Sequence, residues 1–199
     1  MKVSDILAHL RARLRDDNAE FTRIGDSLLI NLIYYWQNSI LSEFGLNIKE
    51  IKETLNEQDE VELPFEVLRV LAVYLDNQPI TQSSYATSAR HYNDGKLRFF
   101  EKRSQLWGFS KQVSGELLIF AVKKAVVRDS TDELILNDDF TNLLVFSVFL
   151  DVLKANISPD NAQQLSVYEQ LIERERMRMI ALQNRKNIKP DFTAPFVRV

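Results

Sequence analysis

The chain has 199 residues, 45% of them hydrophobic, with five glycines, no cysteine and a formal net charge of −3. Such length and apolar content support one good core or two small ones and exclude a compositionally disordered chain. The missing cysteine excludes disulfides, thiolate metal centres and thiol nucleophiles, and the negative balance argues against a protein that coats nucleic acid.

The charge is unevenly placed. Between Glu43 and Glu66 eight acids face only Lys49 and Lys52, whereas Arg174, Arg176, Arg178, Arg185 and Lys186 crowd the last predicted helix. That polarity suits a subunit meeting oppositely charged neighbours, although two solvated faces would also account for it. No basic-then-apolar leader and no apolar run of ~18 to 20 residues is present, so no membrane partner is expected, and the expected place of action is the cytoplasm or a particle assembled there.

"VSDILAHLRARLRD" predicts a short amphipathic helix over 3–15, with Ser4 placed to cap it and Ile6, Leu7, Leu10 and Leu14 on its dry side. A second helix is predicted over 27–44, beginning at an Asp26 or Ser27 cap and stopping before Gly45, a residue suited to a left-handed helix end. It is apolar on more than one face, with Leu29, Leu32, Ile33, Trp36, Ile40 and Phe44 in one stripe and Leu28, Tyr35 and Leu41 around it. A helix of that kind is central to its core or shared with a neighbouring subunit.

The middle of the chain, 60–127, reads as a β-rich insertion. "EVELP", "VLRVLAVYLDNQPI", "GKLRFF" and "GELLIFAVKKAVV" are short strand-like runs, with turn chemistry at Asp76-Asn77-Gln78-Pro79 and at Asp94-Gly95. "TQSSYATSARHYND" between them reads as an exposed polar loop. Helical signal returns over 138–156, where Asn137 to Asp139 are available for capping and the apolar face would pack on the Trp36 helix. The last helix, over 159–186, opens with Ser158 as cap and Pro159 at its first position. Its Leu165, Tyr168, Ile172, Met179 and Leu182 recur at steps of three and four, interrupted by Glu175.

The expected fold class is therefore mainly α with a small β insertion: a bundle of about four helices, a short antiparallel sheet in the middle, and an extended C-terminal arm. One domain is expected over 1–186, followed by the arm over 187–199.

Catalytic chemistry finds little footing. His9 and His91 are not associated by anything in the sequence, and five glycines assemble neither a GxGxxG nor a GxxxxGK[ST] phosphate loop. The adjacent acid pairs Asp16-Asp17, Asp59-Glu60 and Asp138-Asp139 each sit where a turn or cap explains them, so no metal, cofactor or catalytic residue is expected and the chain is not read as an enzyme. Distant acids brought together by the fold would be needed for a carboxylate metalloenzyme. Arg174, Arg178 and Arg185 fall near one helix face at a spacing suited to phosphates, which keeps a nucleic-acid-binding module as the alternative. The interspersed Glu169, Glu173 and Glu175 would cancel much of the counterion-release gain, so ion pairing between subunits fits the pattern better.

Read in order, the segments resemble the head-to-tail adaptors, or tail accessory proteins, that attach beneath the portal of tailed bacteriophages. Asn31 and Gln37 in "LLINLIYYWQNSI" stand where that family has an Asn and a Gln on its second helix. "ELPFEVLRVLAVYLDNQPI" matches its LP-x-x-x-h-x-h lead into a strand (h apolar), and Asp132, Leu134, Leu136, Asp138 and Phe140 match its acid-Leu-x-Leu-x-acid-x-Phe helix start. The match spans most of residues 1–186. It departs at "FAVKKAVV", where Phe120 stands and the family often has a Tyr and a Pro.

The resemblance implies a non-catalytic virion structural protein of the neck, a homo-oligomeric ring of about twelve copies with DNA passing through its lumen during packaging and ejection. Its implied partners are the portal protein above, a tail or nozzle protein below, and itself. Related adaptors reach the portal with an extended C-terminal segment. Here "NIKPDFTAPFVRV" offers Ile188, Pro190, Phe192, Pro195, Phe196 and Val197: the prolines limit the entropy lost on ordering, and the aromatic side chains can fill pockets. Tyr34, Tyr35, Arg174 and Arg178 are the candidate contacts between subunits.

Overall fold

Val3–Leu14 forms helix α1 with Val3, Ile6, Leu7 and Leu10 buried, the stripe that helical spacing requires. In the computed structural model, which describes residues 1–14, 24–84, 96–103, 105–155 and 162–187, the cap of α1 is not Ser4. Lys2 occupies the cap position, its carbonyl accepting from the amides of Asp5 and Ile6 while its own amide donates to the Asp5 carboxylate. The amides of Val3 and Ser4 donate to the carbonyls of Asp132 and Ser130. A tertiary contact thus satisfies the helix end that a local side chain was expected to satisfy.

The chain divides into two compact units, Met1–Trp36 with Val127–Val199, and Gln37–Val126. Helix α2 (Asp26–Phe44) is continuous across the division. It opens on the carbonyl of Gly25, which accepts from Leu28 and Leu29, so Asp26 is the first helical residue rather than the cap. It closes as a Schellman motif: Gly45 has φ +58° and the amide of Leu46 donates back to the carbonyl of Leu41.

In the first unit the central element is α3 (Thr141–Ala155), led in by a 3-10 turn at Asp138–Phe140. Nine of its fifteen residues are buried, on every side of the helix. A helix apolar all round must be surrounded, and α1, α2 and α4 (Ala162–Asn187) each supply a contact. The Arg13 guanidinium of α1 lies over the Phe146 ring, the Trp36 indole of α2 donates to Asp151, and Tyr168 of α4 packs against Phe146 and Phe149. The Trp36–Asp151 hydrogen bond links α3 to the helix expected to pack on it, but the closer neighbours of α3 are α4 and α1.

The second unit overturns the mainly helical expectation. Among the described residues 46% are helix and 33% strand, and the six strands there form one nearly closed, barrel-like sheet rather than a short insertion. β1 (Ile48–Glu62) and β6 (Leu106–Lys123) are antiparallel along almost their whole lengths, Ile48 opposite Val122 and Glu62 opposite Leu106. The other edge of β6 is shared by β2 (Val67–Leu75) and β5 (Arg98–Glu101). β3 (Gln78–Pro79) returns on β2, and β4 (Thr81–Gln82) pairs parallel to β5.

The sheet encloses its own core, including Leu55, Leu63, Val73, Phe99, Trp107, Leu117 and Ile119, with Phe99 and Trp107 stacked at 4.9 Å. The physical reason for the correction is that β1 begins at Ile48, not near residue 60. Its Ile48, Ile51 and Leu55 are spaced like a helix face and are separated by charges, so its extended form depends on a distant partner, β6.

Turn chemistry fixes this register. Asp76 and Asn77 both have positive φ, 49° and 64°, as the two-residue β2–β3 hairpin requires of a type I′ turn. The Asp76 carboxylate accepts from the amide of Glu116 at 2.8 Å. It lies where a Cβ on Gly115 (φ +135°) would stand, so a side chain at that position of β6 would have to displace Asp76 and adopt a backbone conformation that favours glycine. At the other end of β6, the buried Asn38 amide both donates to the carbonyl of Ala125, at 3.0 Å, and accepts from its amide, at 2.8 Å.

The expected polar loop begins instead with strand β4 at Thr81–Gln82, and the expected arm loses Asn187 to the end of α4. The rest of the arm, the rest of that loop with His91, the Asp94-Gly95 turn, the Asp16-Asp17 pair and the Ser158-Pro159 helix start lie outside the described residues.

Candidate subunit-contact surfaces

In α2 the apolar excess noted in the sequence is divided by the fold. Leu29, Ile33, Ile40, Leu41 and Phe44 are buried, whereas Leu28 is 52% and Tyr35 60% exposed. Residues seven apart share a helix face, so these two form an outward apolar strip over two turns. The Tyr35 ring stands edge-on to Trp36 at 5.5 Å, which holds it in place without covering it. Tyr34, the neighbouring candidate, is half-buried. Gln37 is fully buried while Asn31 is exposed, so the family-motif pair does not act as one local unit.

Helix α4 turns one face to α3 and leaves the other bare. Leu165, Tyr168, Ile172, Met179 and Leu182 line the inner side, as their spacing predicts. Glu175, the interruption in that stripe, is held there by Arg178, whose Nε donates to it at 2.7 Å. The Arg178 Nη2 also donates to the carbonyl of Asp139 at 2.8 Å, tying α4 to the turn before α3. Arg178 is thus engaged within its own chain and does not stand with Arg174 and Arg185 as a third outward cation.

The outer side of α4 carries a second stripe that sequence reasoning missed. Gln163, Val167, Gln170, Arg174, Met177, Ala181 and Asn184 are all exposed and recur at steps of four and three. No acid interrupts it. Glu169, Glu173 and Glu175 are paired elsewhere, with Lys154 at 3.3 Å, Arg176 at 3.4 Å and Arg178 at 2.7 Å. Arg174 and Arg185 have no ion-pair partner among the described residues. The mixed polar and apolar content hid this stripe, because its large apolar members, Val167 and Met177, are too few to register as a hydrophobic face.

β1 is the acidic counterpart. Its outer edge has no strand partner among the described residues, and along it six acids stand against Lys49 and Lys52. Charges of this density discourage uncontrolled strand pairing. Glu50 pairs with Lys52 at 2.7 Å and Glu60 with Lys102, leaving Glu53, Glu57, Asp59 and Glu62 without a cation among the described residues.

A cavity of about 420 Å³ opens over β1 and β6 between Glu50, Lys52, Glu53, Asn77 and Glu116. The Glu50 carboxylate, through its hydrogen bond and then its charge, raises the Lys52 pKa, so this lysine stays an ammonium at neutral pH and offers no nucleophilic amine. Among the described residues no group of three or more His, Asp and Glu side chains could hold a metal ion, and no helix is long and apolar enough to cross a membrane.

Against known proteins, the chain matches no family model and no curated sequence.

Proposed function

We propose that the protein is a head-to-tail adaptor of a tailed bacteriophage, a virion structural protein that assembles as a ring beneath the portal and joins the capsid vertex to the tail. The observation that carries this reading is that the chain presents more than one exposed surface among the described residues: Leu28 with Tyr35 on α2, Val167 with Met177 on α4, and the acidic outer edge of β1. A ring built by head-to-tail contacts needs two different surfaces on each copy, whereas a twofold dimer needs only one. Each contact can be modest, because contacts repeated around a ring reinforce one another.

The motif residues that carry the family resemblance serve as scaffold, which suits a structural role. Leu63 is buried beside Pro64 at the turn from β1 to β2, and its amide donates to the carbonyl of Gln105. Leu134, Leu136 and Phe140 are buried on the approach to α3, and Asp132 accepts from the amides of Arg128 and Asp129. The arm with Phe192 and Phe196 is the segment assigned to the portal. Capture of the chain by its cognate portal ring, read by native mass, tests the proposal.

A further inference from the structure

We infer that the outer face of α4 in one copy docks on β1 of a second copy, an inference that rests on the ring reading and names its lateral contact. Three observations meet here. The α4 stripe is exposed from Gln163 to Asn184 and contains no acid. Arg174 in the stripe and Arg185 next to its last residue have no ion-pair partner among the described residues, whereas every α4 carboxylate has an internal one. The acids left over on β1, Glu53, Glu57, Asp59 and Glu62, lie on a strand whose outer edge is unpaired among the described residues.

The dimensions agree. Eleven helical residues separate the two arginines by ~16 Å, and the four carboxylates span at most ~30 Å of β1, which bulges between Leu55 and Glu60 with Glu57 at φ 52°, so two of them can stand about as far apart as the guanidiniums. A contact of α4 with α4 from another copy in antiparallel register centred on Arg174 is disfavoured, since it would set the two Arg174 side chains against each other. Val167, Met177 and Ala181 supply the apolar centre, and the charges set which neighbour is accepted.

The test uses the full-length chain in sedimentation velocity over a wide concentration range. Wild type is expected to self-associate, less so as salt is added. Arg174→Glu with Arg185→Glu gives one variant, and Glu53→Lys with Asp59→Lys and Glu62→Lys gives the other. Each alone is expected to associate at least ~10-fold more weakly, because like charges would meet. Mixed in equal amounts they should recover wild-type association, since each now offers what the other lacks. All five positions are exposed, and circular dichroism of each variant confirms that the fold is kept.

A wild type that stays monomeric at every concentration, a mixture that stays dissociated, or a β1 variant that associates normally while the α4 variant does not, would each overturn the inference. The last result would indicate an α4–α4 contact. Portal capture by the wild type is measured separately: if it persists while the mixture fails, the contact is wrong and the adaptor reading stands, and if it is absent the adaptor reading fails by itself.

Discussion

Gly115 illustrates how much a single position can fix. Its φ of +135° and the Asp76 carboxylate occupying its Cβ direction set the register in which β6 meets the β2–β3 hairpin. Gly115→Ala is expected to destabilise the protein by about 1–3 kcal/mol in denaturant unfolding, and Asp76→Ala in the same chain should relieve part of that loss. A second residue-scale expectation concerns acid. The Asp129 carboxylate accepts from the hydroxyl and amide of Thr131, which holds its pKa below the ordinary 3.8. A depressed carboxylate contributes stability that is complete above its unfolded pKa and lost as pH falls through the folded one. Wild type should therefore lose more stability than Asp129→Asn below pH ~4, as read by urea midpoints across that range.

At the scale of elements, inner and outer faces of α4 should respond differently to truncation. Tyr168→Ala removes the ring packed on Phe146 and Phe149 and is expected to cost about 2–4 kcal/mol, whereas Met177→Ser on the outer face should change stability by less than about 0.5 kcal/mol. Equal losses would mean that the outer face is not free. The same contrast shows what the sequence disclosed. The helices stand within a few residues of their expected bounds, because the stripe that packs each of them is local and periodic. Gly45 ends α2 as foreseen, and the Asp76-Asn77 turn falls where its residues favour it.

The sheet was only half legible. β2 and the C-terminal part of β6 are recognisable as apolar runs, but Ile48–Leu55 of β1 is held extended by Gly115–Val122 of β6, and the N-terminal part of β6 by Glu60–Glu62 of β1 and by β5. Non-local pairing has no local signature, and the charges that guard an edge strand erase the alternation that would mark it. The candidate surfaces were legible in part for the same reason. Tyr35 and Arg174 are exposed as subunit contacts require, while Arg178 is drawn into its own chain by Glu175 and the Asp139 carbonyl, partners that a helical wheel alone cannot rank.

For the whole molecule, the proposed role couples two kinds of surface: the outward helix strips and the acidic edge of β1 for neighbouring copies, and the arm beyond α4 for the portal. The most direct test is the native mass of the purified chain mixed with its cognate portal ring, comparing full length with a chain ending at Lys186. The account predicts a stoichiometric ring of full-length chains on the portal and none, or far fewer, of the truncated chains. Full-length protein that remains unbound, under conditions where the portal ring is intact, would contradict it.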